Sequence, residues 1–227
     1  MKTLNPRIRS GWSTVGALCL LSFLAVSTAV GKSTGDAISF YRLGQVQFEQ
    51  GKIQEAIGSL KKALSRNSRL AEAHDFLGII YLQQSDPQQA AKYLRKAVAI
   101  NPYYTDAHNT LGVVYTELKK YDRAIEEFET ALKDRTYSSP EKIHFNMGKL
   151  YLDRGMNDEA VRSFDQAVRI KSDYLPGLLG LGQAYQSSGR LDLAKQQYQK
   201  IVRLDPKSAE AVQARQFLDR DRKRDGS

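Results

Sequence analysis

Residues 107–131 read AHNTLGVVYTELKKYDRAIEEFETA. The stretch holds a Leu111-Gly112 pair, then Tyr115 three residues after the glycine, Ala124 twelve after, Phe128 sixteen after and Ala131 nineteen after. Moving outward, the pair returns as Leu43-Gly44, Leu77-Gly78, Met147-Gly148 and Leu181-Gly182, at glycine spacings of 34, 34, 36 and 34. The other positions return with it. Three after the glycine stand Gln47, Tyr81, Tyr151 and Tyr185, and twelve after it Ala56, Ala90, Ala160 and Ala194. Sixteen after it come Leu60, Leu94, Phe164 and Tyr198, and nineteen after it Ala63, Ala97, Ala167 and Ile201. Pro102 and Pro206 close the second and fifth units. Self-similarity at one fixed period is the signature of a stacked-repeat architecture.

The pattern resembles the tetratricopeptide repeat, over residues 37–208 and in five units: 37–70, 71–104, 105–138, 141–174 and 175–208. The resemblance implies an all-α fold. Each unit is a helix-turn-helix, the small residues let its helices approach, and units stack as an α-solenoid in a right-handed superhelix. The second helix of a unit is expected to pack on its own first helix and on the next unit's first helix. The turns inside the units are Gln50-Gly51-Lys52, Gln84-Ser85-Asp86-Pro87, Lys119-Lys120, Arg154-Gly155-Met156-Asn157 and Ser188-Gly189-Arg190. Gly and Asn suit a left-handed residue after a helix, and Pro87 suits a first helical turn. The third-to-fourth connection, within residues 134–141, is two residues longer, and Ser138 or Ser139 before Pro140 and Glu141 is placed to cap the next helix. A capping helix is expected over 209–220, covering the fifth unit with Ala211, Val212, Ala214, Phe217 and Leu218, followed by a solvated tail over 221–227.

The chain has 227 residues and a formal charge of +9, from 34 Lys and Arg against 25 Asp and Glu. With 41% hydrophobic and 26% charged residues it reads as globular rather than disordered. Its one Cys excludes an intramolecular disulfide framework and a multi-Cys metal site. Residues 1–31 stand apart: Lys2, Arg7 and Arg9 with no acid, an apolar run from Val15 to Val26, then Ser27, Thr28, Ala29, Val30 and Gly31. That order reads as an export signal cleaved after Ala29 or Gly31. An uncleaved anchor is the alternative, although Val15 to Val30 falls short of the ~20 residues of an ordinary span. Lipid attachment at Cys19 lacks the small preceding residue, since Leu18 is there. Residues 32–36 are expected as a short linker. Without residues 1–31 the charge falls by the three basic residues to +6, spread along the chain and weak as a nucleic-acid signal.

Few residues offer chemistry. His74, His108 and His144 each lie four before their unit's glycine. Equivalent positions in neighbouring units stand about one helix-packing distance apart, ~8–10 Å, too far to share one zinc ion. They are expected as half-buried packing residues. Gly31-Lys32-Ser33-Thr34 resembles the end of a phosphate loop, but Val26 stands where that loop needs Gly. With no nucleophilic triad spacing, the expectation is a non-catalytic protein without cofactor or metal that binds protein partners and no nucleic acid.

The repeat resemblance also implies a binding groove lined by the first helices. It places there Tyr41, Gln45 and Phe48 from the first unit; Asp75, Phe76, Ile79 and Leu82 from the second; and Asn109, Val113 and Thr116 from the third. The fourth adds Phe145, Asn146, Lys149 and Leu152, and the fifth Leu179, Gln183 and Gln186. The Lys/Asn/Arg clamp with which some such proteins hold a terminal carboxylate is absent, because Asp75, Asn109, Val113 and Phe145 occupy its places. The groove reads as apolar with Asn and Gln between, suited to an amphipathic or extended segment. An export signal, five units, and the stretch Ala131-Leu-Lys-Asp134 with Tyr137, Pro140 and Asn146-Met147-Gly148 resemble the type IV pilus biogenesis/stability family (PilF/PilW-like pilotins). The chain also departs from that family, which usually has a lipobox and one more unit. The resemblance implies an envelope-associated adaptor whose partner is an outer-membrane secretin or its assembly factors, touching membrane only through the N-terminal segment.

Overall fold

The computed structural model describes residues 35–225, with side chains through Arg222. The expected signal or anchor, its cleavage sites and Cys19 lie outside the described residues. Helix α1 covers residues 35–49, so Gly35 and Asp36, expected in a linker, are already helical. Then follow α2 (Ile53–Arg66), α3 (Ala71–Gln83), α4 (Pro87–Ile100), α5 (Thr105–Glu117), α6 (Tyr121–Ala131), α7 (Pro140–Asp153), α8 (Asn157–Ile170), α9 (Leu175–Ser187), α10 (Leu191–Leu204) and α11 (Ala209–Asp225). No strand occurs among the described residues. The chain divides into two compact units, one ending at Ala73 and one beginning at His74.

The second helix of every repeat buries a stripe at i, i+4 and i+7: Ala90, Leu94 and Ala97 in α4, Ala124, Phe128 and Ala131 in α6, Ala160, Phe164 and Ala167 in α8. That spacing puts three side chains on one face of a helix. The glycine of the first helix then decides how near the stripe can come. A Cβ on Gly112 would lie 2.5 Å from the Phe128 ring, and one on Gly148 2.7 Å from the Phe164 ring. In the first unit a Cβ on Gly44 would meet Leu60 at 2.9 Å. The repeated glycine is therefore the space that the large residue fills. In the unit beginning at His74, α8 packs on both α7 and α9, and α10 on both α9 and α11.

The turns follow backbone chemistry. Gly51, Gly155 and Gly189 adopt φ of +75°, +71° and +74°. Where the repeat has no glycine, Ser85 and Lys119 take the left-handed conformation, at 59° and 56°. Asn157 does not; it begins α8, and its side chain donates to the Ser187 carbonyl at 3.2 Å. Pro87 opens α4 behind Asp86, whose carboxylate accepts from the Gln89 amide at 3.0 Å.

The longer connection before α7 differs from expectation. Ser139 is the N-cap residue, but its side chain makes no capping bond. Pro140 occupies the first turn and carries no amide hydrogen to satisfy. The connection is instead tied back to α5. Asp134 accepts from the Thr105 hydroxyl at 2.7 Å and from the Thr136 amide at 2.9 Å, and the Tyr137 hydroxyl donates to Asp106 at 2.6 Å.

The last helix also runs beyond its expected end at Arg220, to Asp225. Asp221, assigned to a solvated tail, is 8% exposed and pairs with Lys195 of α10 at 2.8 Å. Ala211 and Ala214 are fully buried and Phe217 lies 4.7 Å from Tyr198, centroid to centroid, but Val212 is 51% exposed.

Gly112→Ala should destabilise the protein by about 1–3 kcal/mol, because Phe128 is fully buried and has nowhere to move. Gly58→Ala, in the interior of α2 with open space around its Cα, should stabilise by about 0.5–1 kcal/mol. Urea unfolding of both variants measures the contrast; equal shifts would remove the close-approach explanation.

Candidate functional site: the groove face of the first helices

In the unit that begins at His74, α3, α5, α7 and α9 supply the groove positions. Asp75 does not reach the groove. It is 5% exposed and its carboxylate accepts from the Tyr104 hydroxyl at 3.3 Å, so it joins α3 to the turn before α5. Phe76, Ile79 and Leu82 are half-buried along α3, as are Asn109, Val113 and Thr116 along α5. Leu82 and Val113 both rest on the core formed around Leu94, Leu111 and Phe128. One side of each is packed and the other faces outward, which makes this part of the face apolar.

Between α5 and α7 the character changes. The Asn146 carboxamide nitrogen donates to the Asn109 carboxamide oxygen at 3.0 Å, linking neighbouring first helices side chain to side chain. Beside the pair is a recess of about 100 Å³ lined by Val113, Thr116, Asn146 and Lys149, with Glu117 and Asp153 at its rim. The two acids lie at the same repeat position, one residue beyond the positions read from the sequence as groove-lining. Their signal was available in the repeat register. The Thr116 hydroxyl is turned to its own helix and donates to the Gly112 carbonyl at 3.0 Å.

Phe145 is half-buried in an aromatic cluster, 5.7 Å from Phe164 and, edge-on, 5.7 Å from Tyr174, with the Lys149 ammonium 5.9 Å from its ring centroid. Leu152 packs on the same small core as Phe145. On α9, Leu179 is half-buried, while Gln183 and Gln186 are exposed; Gln186 accepts from the Tyr198 hydroxyl at 3.2 Å. In the unit ending at Ala73, Tyr41, Gln45 and Phe48 are half-buried on α1, and the Gln45 amide donates to the Tyr41 hydroxyl at 3.0 Å.

His144 is half-buried as expected, whereas His74 at 5% and His108 at 8% are more buried. Among the described residues no group of three or more His, Cys, Asp or Glu is placed to hold a metal. His108 has an electrostatic role. Its Nδ1 lies 2.6 Å from a Glu127 carboxylate oxygen and its Nε2 lies 3.0 Å from the Pro102 carbonyl oxygen. Both partners are acceptors, so the doubly protonated ring satisfies both. The Glu127 hydrogen bond raises the pKa, against the opposing effect of burial. Burial alone lowers that of His144.

Because the folded value at His108 is raised, its stabilisation is complete below the ordinary histidine value of about 6.5 and is lost as pH rises through the folded value. Unfolding free energy measured from pH 5.5 to 8.5 should therefore fall across that window, and Glu127→Gln should flatten the fall. A Glu127→Gln profile parallel to wild type would refute this role.

Tetratricopeptide repeat family models match residues 41–105 and 109–176, and residues 81–136 and 151–222. No curated protein matches the sequence. Among solved structures, PilW, described as a widely conserved type IV pilus biogenesis factor, is 17% identical with a TM-score of 0.73, covering 81% of this chain and 86% of its own. Pseudomonas aeruginosa PilF is 22% identical with a TM-score of 0.72, covering 84% and 88%. YrrB, described as having an unusual peptide-binding site, is 20% identical with a TM-score of 0.62, covering 84% and 97%. At these identities the likeness establishes the fold. With the recurring glycines, the buried stripes and the family match over most of its length, the chain belongs to the tetratricopeptide repeat family.

Proposed function

We propose that this chain is a non-catalytic, exported adaptor that holds an extended protein segment against the groove face of α3, α5 and α7, and that it assists assembly of a type IV pilus or its secretin in the cell envelope. The Asn109–Asn146 pair carries the binding reading. Each carboxamide has donors and an acceptor, and the bond between them uses one donor of Asn146 and the oxygen of Asn109. The Asn109 amide group and the Asn146 oxygen are left to face a ligand, a donor beside an acceptor. A peptide unit offers the complementary C=O and N–H. Phe76, Ile79, Leu82 and Val113 supply adjoining apolar surface for its side chains, the arrangement by which extended segments gain affinity from main-chain bonds and specificity from pockets.

The pilus assignment rests on the fold likeness to PilW and PilF over more than four-fifths of each chain, on the pilotin-like stretch through Asn146-Met147-Gly148, and on the export-signal reading of residues 1–31. A general envelope scaffold is the second reading. The same fold is shared with MamA, 22% identical with a TM-score of 0.65 over 94% of that chain, so the fold likeness by itself does not select the pilus.

Replacing both carboxamides, Asn109→Ala with Asn146→Ala, removes the directed bonds from half-buried positions without opening the core. Partner recovery from envelope extract should drop about tenfold, roughly 1.4 kcal/mol, with the melting temperature near wild type. Phe145→Ala is a poorer probe, because it also dismantles the contacts to Phe164 and Tyr174. In a host lacking the gene, the pilus reading expects the double variant to leave fewer secretin multimers in the outer membrane. Normal multimers with impaired partner binding would favour the scaffold reading, and unimpaired binding would remove the groove.

A further inference from the structure

Of the five second helices α4 alone carries no acidic residue, reading PQQAAKYLRKAVAI. Lys92, Arg95 and Lys96 project from it at i, i+3 and i+4 and are all exposed. They face Lys120 and Arg123, also exposed, across a recess of about 600 Å³ between α4 and the turn joining α5 to α6. No carboxylate lines this recess, and none lies within ion-pair distance of the five cations among the described residues. Asp122, next to Arg123 in sequence, pairs instead with Arg154, the residue that caps the end of α7. The floor is apolar: Ala91 at 8% exposure, half-buried Leu118, and Tyr115 at 6% with the Arg123 guanidinium 6.0 Å from its ring centroid. Like charges gathered around a concave, partly apolar surface repel one another and raise the local potential, which attracts an anionic ligand.

We propose that this recess is a second docking site, distinct from the groove, for an acidic protein segment that inserts an apolar side chain between its carboxylates. The shape and the floor choose a peptide over other polyanions. A membrane surface is met by cations beside large exposed apolar residues that insert into it; the exposed large apolar side chains of this chain include none from α4 or α6. Single-stranded nucleic acid is held by exposed aromatic faces, whereas Tyr115 is buried. A peptide alternating Glu with Leu places carboxylates against the two cationic walls and a leucine over Ala91 and Leu118.

The test uses the full chain and fluorescence anisotropy with labelled synthetic peptides alternating Glu and Leu, or Gln and Leu. The Glu/Leu peptide should bind at low salt and weaken as salt rises, and the Gln/Leu peptide should not bind measurably. Lys92→Ala, Arg95→Ala and Lys96→Ala together should weaken Glu/Leu binding about tenfold, each exposed cation accounting for roughly a factor of two. Arg95→Lys alone should retain most of it, and the Asn109→Ala, Asn146→Ala groove variant should bind as wild type, which separates this site from the groove. Unchanged binding in the triple variant with its helical signal intact, or equal binding of the Gln/Leu peptide, overturns the proposal. So does tighter binding of phosphatidylglycerol vesicles or a single-stranded oligonucleotide that the triple variant abolishes.

Discussion

The closest constraint in this protein is the missing Cβ on the first helix of each repeat. At Gly78, Gly112, Gly148 and Gly182 a methyl group would sit 2.5–2.7 Å from the leucine or aromatic residue sixteen positions later. The helix pair therefore closes until the large side chain touches backbone. Closure buries Leu94, Phe128 and Phe164 completely and, in the unit beginning at His74, leaves the far sides of α4, α8 and α10 to pack on α5, α9 and α11. It also sets the spacing of the first helices, on which the groove depends. Asn109 and Asn146 are 37 residues apart and meet only because α5 and α7 are each held against their own partners at this depth. The two-residue insertion between these units does not disturb that spacing. Asp134 and Tyr137 fasten the longer connection to Thr105 and Asp106 at the start of α5, so the extra chain lies along the helix end instead of pushing α7 away.

The architecture was legible because it is written in small and large residues at fixed intervals, and steric fit depends on little else. The left-handed turn residues were legible at Gly51, Gly155 and Gly189 for the same reason. At Ser85 and Lys119 the turn geometry imposes the same conformation on side chains that disfavour it, and no local signal announces that. The half-buried face of the first helices was legible, and what covers each residue on it was less so. A repeat position says which way a side chain leaves its helix, but not what waits there. Asp75 leaves α3 on the expected side and meets the Tyr104 hydroxyl from the following turn. Asp221 belongs to a run of charged residues that read as solvated, yet Lys195, on a different helix, draws it under cover. Both misreadings concern carboxylates whose partner is distant in sequence. Such pairs are where tertiary context overrides composition.

Charge illustrates the same point on a larger scale. A formal charge of +9 along 227 residues reads as a mild, diffuse basicity, and most of the chain conforms: α6 and α8 mix both signs, and both cations of α8 are neutralised by acids on the same helix, Arg162 by Glu159 and Arg169 by Asp165. Among the second helices only α4 lacks acids altogether. Its lack of acids is a property of fourteen residues that vanishes in the average. It becomes a feature of the surface only when the α5–α6 turn brings Lys120 and Arg123 opposite.

The groove and the recess then differ in the physics available to a ligand. The carboxamide pair between α5 and α7 is neutral and half-buried, so its contribution comes from bond direction and the exclusion of water, and salt changes it little. The cations around α4 are exposed, and at physiological ionic strength their field decays over about 8 Å. They act on a ligand already close, and mainly on its rate of arrival and on its rejection when the charge is wrong. A segment held only by the groove is selected by backbone conformation and apolar side chains; one held at the recess is selected by charge spacing. The two demands fall on different faces of the same helical hairpins, so neither restricts the residues that meet the other. In the proposed scheme the first helices keep Asn109 and Asn146 for a ligand backbone while α4 carries no carboxylate, because the buried stripe of Ala90, Leu94 and Ala97 that holds the repeat together is spent on neither.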